Sequence, residues 1–339
     1  MRHATLLLCV LLVVGCAARA PAGSLAGLPR ASAYDTGLEP SRLAAFLARA
    51  RQEHSSALII AHRGQVVFAE GAIERPTFAM SVSKSVTALV LGTLVDAGHL
   101  DLDAPLGTGL VPEWSDDARG ALTVRHLLTH SSGLDPTRWT PDGPHATVEA
   151  HGLAAALVAE PDTAFAYNNQ VADFLAVLAQ RAHPHHVPLD DQLTSGLGLA
   201  LGFAGEWWRK DPAGTPRAAG EWMVRPIDLL AIGQLVLDRG RVGDEQLVSE
   251  AWIDTLATPS STWAGCGHLW WRDHTADGAL MLRADGYLGQ FVAVVPDEQL
   301  VVVRVRDPRE EGWSADEYGW PGYIDDVFAL VGRGEAVRW

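Results

Sequence analysis

Lysine is nearly missing from this 339-residue chain. Only Lys84 and Lys210 occur, against 24 arginines. Positive charge as a whole is short. Lys and Arg total 26 and Asp and Glu 41, so the formal balance is 26 − 41 = −15. Such a chain is a poor nucleic-acid binder, because phosphate backbones are held by concentrated positive charge. Three cysteines (Cys9, Cys16 and Cys266) cannot build a disulfide framework. No apolar run reaches the length of about 18 residues expected of a spanning helix. There is no G-x-S-x-G, which excludes the common alpha/beta-hydrolase elbow. The glycine-rich stretch 195–206 lacks phosphate-loop spacing and reads as loop or close packing.

Apolar material is ample. Hydrophobic residues make up 48% of the chain, enough for a sizeable core and too much for disorder. At about 150 residues per domain, the length fits two domains or one large interwoven one. Ten of the 12 tryptophans follow residue 200 and read as core or cleft wall.

The N-terminus reads as an export signal. Arg2 and His3 precede the apolar run at residues 4–15. At about 1.5 Å per residue that helix reaches roughly 18 Å, short of a bilayer core of about 30 Å. It therefore reads as a signal peptide over residues 1–15. Val13-Val14-Gly15-Cys16 resembles a bacterial lipoprotein cleavage box, with Cys16 as the lipidation site. Cys266 would then be the one remaining thiol, and no internal disulfide forms. Several acyl chains anchor firmly to a membrane surface. The expected location is the cell envelope, lipid-anchored at the outer membrane and facing the periplasm or exterior. Residues 16–36, rich in Ala, Gly, Pro and Ser, read as a flexible tether.

Periodicity places a helix over 38–51 and a hairpin from strands 57–61 and 66–69. A long helix follows at about 82–97, with Ser81 as N-cap and Gly98 beyond its end. Shorter helical patterns occupy 123–132, 149–159, 169–182 and 226–238. Four consecutive strands are expected at 266–271, 279–284, 289–296 and 299–306, then a helix over 322–331. The fold class is α/β (α+β), one antiparallel sheet flanked by helices. Residues 37–100 and 242–335 form a discontinuous α/β domain, and 101–241 a mostly helical insertion.

Ser81-Val82-Ser83-Lys84 is the sharpest chemical feature. Serine and lysine three apart share a helical face. At a helix N-terminus the serine oxygen lies in the positive end of the backbone dipole. A partly desolvated lysine loses its proton near neutral pH and can take the serine proton. In a chain that uses arginine almost everywhere, position 84 keeps the cation whose pKa can be tuned. Tyr167-Asn168-Asn169 offers a phenol for proton relay and an amide for a carbonyl. Arg283-Ala284-Asp285-Gly286-Tyr287 sits at a strand end where Gly286 lets backbone approach a ligand.

Together these motifs resemble the serine beta-lactamase-like superfamily. The branch is that of class C beta-lactamases, D-alanyl-D-alanine carboxypeptidases, family VIII esterases and 6-aminohexanoate-dimer hydrolase. Ser81 and Lys84 match its S-x-x-K, and Tyr167 and Asn169 its Y-x-N. Leu127-Leu128-Thr129-His130-Ser131-Ser132-Gly133-Leu134 resembles its L-L-T-H-T-S-G-L stretch. Cys266–Trp271 and Gly286–Gln290 resemble the aminohexanoate-dimer hydrolase type. The resemblance implies a beta-lactamase/transpeptidase fold and a serine hydrolase that acts through an acyl-enzyme, with Ser81, Lys84 and Tyr167 catalytic. It leaves open whether Lys84 or Tyr167 is the base. It implies an oxyanion hole from the Ser81 and Tyr287 N–H groups. Asn169, Asp285, Gly286 and Tyr287 would bind substrate.

One departure matters. The family's third motif carries Lys or His before Thr-Gly, and this chain has Ala284-Asp285-Gly286. No cation stands there for a beta-lactam carboxylate, and strand alternation sends Arg283 to the opposite face from Ala284. Neutral esters, or amides with a cationic group, fit better. The expected partner is a small ester or amide, or a cell-wall peptide. No metal and no organic cofactor is expected. His183, His185 and His186, beside Asp190-Asp191, read as a polar loop, and His130 as structural. Alternatives are a carboxypeptidase or beta-lactamase-like enzyme, and an envelope lipoprotein that binds without turnover.

Overall fold

The computed structural model of the protein describes residues 26–307, 309 and 319–338. The expected signal peptide and Cys16 lie outside the described residues. Eleven strands appear among them: β1 (Ala57–His62), β2 (Gln65–Gly71), β3 (Thr77–Phe78), β4 (Trp207–Trp208), β5 (Trp222–Val224), β6 (Arg241–Val242), β7 (Glu245–Gln246), β8 (Trp271–His274), β9 (Leu280–Gly286), β10 (Gln290–Val295) and β11 (Leu300–Val305). Six of them form one antiparallel sheet in the order β2-β1-β11-β10-β9-β8. Both ends of the chain thus meet in one sheet.

The apolar runs explain the order. β1, β10 and β11 are buried along their whole length. A strand covered on both faces reads as continuous apolar sequence rather than as alternation. The β1–β2 hairpin closes through Arg63 and Gly64, with φ of 52° and 70°. Two positive-φ residues match the twist of a tight hairpin. One face of the sheet packs against helices Pro40–Gln52 and Tyr323–Leu330, around Phe46, Phe291, Trp320 and Phe328. The other face packs against helices Val82–Asp96 and Pro226–Leu237.

Several expectations need correction. Helix Pro226–Leu237, assigned to the helical insertion, lies on the sheet. A Cβ on Gly233 would stand 2.5 Å from Val301 Cγ1 and 2.9 Å from Val292 Cγ1, so the helix seats on β10 and β11. The sheet-bearing unit therefore resumes before residue 242. Residues 195–201 are helical rather than loop, while 202–206 are irregular. A π-helical turn, Thr194–Gly198, joins helix Leu189–Leu193 to Leu199–Leu201. Residues 266–270 are not strand, because Leu269 has φ 60° and its N–H bonds the Leu128 carbonyl at 2.9 Å. The end of the expected tether is ordered: Arg30 bridges Val66, and Ala33–Thr36 form a helix capped by Ser32. Among the described residues, no helix is long and apolar enough to cross a membrane.

Candidate active site

Ser81 occupies the N-cap position of Val82–Asp96, with helical φ −69° and ψ −5°, and its side chain makes no cap bond. Its hydroxyl is left for other partners. Lys84 Nζ donates to Ser81 Oγ at 2.9 Å. Nζ also donates to the Ala219 carbonyl. Lys84 is 3% exposed. Burial brings its ammonium down from 10.5 to about 7; Asp173 opposes this and Arg138 assists it. An amine poised there can accept a hydroxyl proton at neutral pH.

The segment around Ala219 is clamped. Asp173, on helix Asn169–Ala182, accepts the Ala219 N–H at 2.7 Å and Arg217 Nε at 3.2 Å. Ser83 Oγ donates to Ala218 O at 2.8 Å. The carbonyl that receives Lys84 is thereby fixed from both sides. No local sequence motif marks Asp173.

Tyr167 precedes the same helix, and Lys84 Nζ lies 5.1 Å from its ring centroid. Burial pushes the phenol above its ordinary range, while a hydrogen bond with Ser81 opposes that rise. His130 is buried under Tyr167, with ring centroids 4.9 Å apart. Its Nδ1 accepts the Asn168 N–H at 3.3 Å. Burial, with the Lys84 charge, pushes the imidazole down to about 3. It stays neutral and supports the tyrosine. Cys266 lines the same cleft, and burial pushes its thiol up to about 12, so it remains protonated.

Gly286 brings β9 to the serine. A Cβ there would meet the Ala79 carbonyl oxygen at 2.5 Å and Met80 Cβ at 2.9 Å. Only a residue without a side chain allows this approach. Tyr287 follows in a short 3-10 turn. Arg304, buried in the central strand β11, donates to Leu288 O at 2.8 Å and Gly289 O at 2.7 Å. It holds that turn from beneath. Asn169 is the first residue of its helix, and its amide makes no hydrogen bond to Ser81 or Lys84.

Asp285 lines the cleft with Ser81, Lys84 and Tyr167. Arg283 and Asp285 share one strand face while Ala284 points into the core, as alternation requires. Arg283 and Tyr323 both hydrogen-bond the Asp285 carboxylate. Arg283 Nε also bonds Asp273 at 2.5 Å. The negative charge expected to attract a cationic group is therefore already paired. Trp271 stacks on Tyr167 at 5.8 Å with an interplanar angle of 20°. Phe165 and Trp263 extend the aromatic wall, their rings 4.8 Å apart. The free space beside Ser81 is about 10 Å³, near that of a single water.

The family profile described as Beta-lactamase matches residues 41–307. The chain belongs to the beta-lactamase family. In the wider sense this is the serine beta-lactamase/transpeptidase superfamily. Esterase EstB of Burkholderia gladioli is 30% identical over 145 residues, 37% of this chain and 36% of that protein. The match thus spans about a third of this curated relative. Among solved structures, a Bacteroides dorei protein with a provisional beta-lactamase name superposes with a TM-score of 0.72 at 18% identity, covering 87% of this chain and 99% of that one. A class C beta-lactamase from Rhodobacter sphaeroides gives 0.60 at 17% identity, covering 86% and 98%. These two likenesses establish the fold.

Proposed function

We propose that this hydrolase-superfamily member is a serine hydrolase that cleaves neutral esters or amides through an acyl-enzyme. Ser81 is the nucleophile. Neutral Lys84 takes its proton as Oγ attacks the carbonyl carbon. Tyr167, whose phenol holds its proton more tightly, relays a proton from Lys84 to the leaving group. The Ser81 and Tyr287 N–H groups receive the oxyanion. Asn169 turns toward the acyl carbonyl once substrate is bound. Water, deprotonated by the same lysine, then breaks the acyl bond and restores Ser81.

The observation that carries this reading is a buried Lys84 amine, tuned to about 7, at 2.9 Å from Ser81 Oγ. The lack of a free cation at the third motif, among the described residues, supports the substrate class. Arg283 is engaged with Asp285 and Asp273, so the third motif offers no partner for a ligand carboxylate. The name of Esterase EstB points the same way for the relative.

The test is intact mass after exposure to a small alkyl fluorophosphonate, with peptide mapping and a Ser81→Ala control. One adduct on Ser81, absent from the control, is expected. A folded protein that stays unlabelled and cleaves no small ester would overturn the reading. Lipid anchoring at Cys16 in the cell envelope belongs to the same proposal. Metabolic labelling with an alkynyl fatty acid should mark the parent chain but not Cys16→Ser.

A further inference from the structure

Free space of ligand size lies away from Ser81. It is a cavity of about 350 Å³ lined by Asp190, Thr194, Glu206, Trp207, Lys210 and Trp222, among others. That volume sits within the range of small-molecule sites, about 300–1,000 Å³. None of its lining residues lines the Ser81 cleft. The two are neighbours through β5, because the Trp222 carbonyl accepts the Ala79 N–H at 2.9 Å.

Its chemistry is uneven in an informative way. Trp222 is 0% exposed, yet its indole N–H has no hydrogen-bond partner. Asp190 gives one carboxylate oxygen to Lys210 Nζ at 2.6 Å, and its other oxygen is buried without a partner. Trp208 stacks on Trp222, with centroids 5.4 Å apart at 29°. Trp208 has its own partner, since its indole N–H donates to Arg217 O at 2.9 Å. At the rim, Trp207 is 50% exposed. Native proteins pair most of their buried polar atoms, and here two residues that line one cavity each carry an unmatched one. The π-helical turn that begins at Thr194 adds a backbone form frequent at functional sites.

The unmatched pair defines the ligand. It must donate to Asp190 and accept from Trp222, and it must cover indole surface. A molecule with several hydroxyls can meet the two polar tasks with separate groups. The fixed charges are Asp190, Glu206 and Lys210, a sum of −1, which disfavours a carboxylate. A bare cation leaves the Trp222 N–H without an acceptor. A ring bearing hydroxyls on its edge and C–H bonds on its face meets every demand, and the C–H face rests on Trp207. We infer that this cavity is a binding site for a neutral sugar ring, separate from the Ser81 cleft.

The test is tryptophan fluorescence titration of the full chain, in buffer free of glycosidic detergent. The probes are methyl glucoside, N-acetylglucosamine and cellobiose, with glycine betaine and D-alanine as cationic and zwitterionic comparators. Saturable quenching by at least one sugar at millimolar concentration is expected. Trp207→Ala, at an exposed rim position, should weaken it by at least about tenfold. Trp222→Phe, which keeps the ring and removes the N–H, should weaken it as well. Ser81→Ala should bind sugar as the parent does. A response to betaine or D-alanine alone would overturn the sugar assignment. So would the absence of any saturable response, or sugar binding that survives Trp207→Ala and Trp222→Phe unchanged.

Discussion

The pH dependence of ester cleavage is the most direct examination of Lys84. At an ordinary lysine value of 10.5, about one molecule in 3,000 would carry a neutral amine at pH 7. With the value lowered to about 7, half of the molecules do. Burial therefore raises the reactive form about a thousandfold. The sign follows from the role: a base must be unprotonated, so kcat/KM rises with pH through about 7 and then levels. For one group at about 7 the rise from pH 5.5 to 8.5 is about thirtyfold. The assay is initial-rate hydrolysis of a short p-nitrophenyl ester over that range, corrected for spontaneous cleavage. Asp173 holds the ammonium up. Asp173→Asn should therefore move the acid limb to lower pH, which loss of packing alone would not do. Lys84→Ala should lower kcat/KM by about 100- to 10,000-fold. A profile flat within about threefold, or a limb near pH 10, would refute the assignment. The second of those results, read with the range extended to pH 10.5, would point to a lysine at its ordinary value of 10.5 or to Tyr167, whose phenol lies above its ordinary range.

Three further outcomes follow from the packing. Gly286→Ala drives a Cβ into the Ala79 carbonyl; kcat/KM should fall at least about tenfold with native circular dichroism, and parental activity would contradict the close approach. His268 is buried and lowered to about 4, chiefly by burial and then by Arg125. The unfolded chain takes up its proton first as pH falls below about 6.5, so folded stability declines toward pH 4. Its share between pH 7 and 4.5 is at most about 2–3 kcal/mol, and urea titrations should show a shallower decline for His268→Gln; an identical slope would refute it. With no free cation at the third motif, nitrocefin hydrolysis should stay at least about a hundredfold below that of a neutral ester in kcat/KM; comparable turnover would sink the substrate assignment.

What was legible in the sequence follows physical locality. Ser81 and Lys84 were readable because helical geometry fixes what a three-residue spacing does. β10 and β11 were readable because Pro296-Asp297-Glu298 separates two apolar runs. Helix Pro226–Leu237 was readable as a helix but not as a sheet-packing one, because its assignment depends on Gly233 meeting Val292 and Val301. Glycine content hides the helical hydrogen bonding kept through a wide turn over 195–201, while 202–206 is irregular as expected. Apolar content misled at 266–270, where Leu269 is pinned to Leu128 rather than to a strand. The pairing of Asp285 by Tyr323 was invisible, since 38 residues separate them and neither carries a motif for the other.

The scarcity of lysine gains a meaning at the site. The cations near Lys84 include Arg138 and Arg217, which bond Glu221 and Asp173. Arg283 is likewise engaged with Asp273 and Asp285. Guanidinium groups keep their protons throughout the working range. They supply constant charge without competing for the serine proton. Three other ionisable groups around the cleft are displaced from neutrality in opposite directions: His130 to about 3, Cys266 to about 12, and Tyr167 above its usual range. Burial is the largest cause in each case, yet its effect differs with chemistry. It removes the proton from bases and retains it on acids. Lys84 starts high enough that the same burial brings it to about 7 rather than past it. A lysine is thus the residue that this degree of desolvation turns into a neutral-pH base. A histidine in that position would be driven too low to hold the proton, and an arginine would never release it.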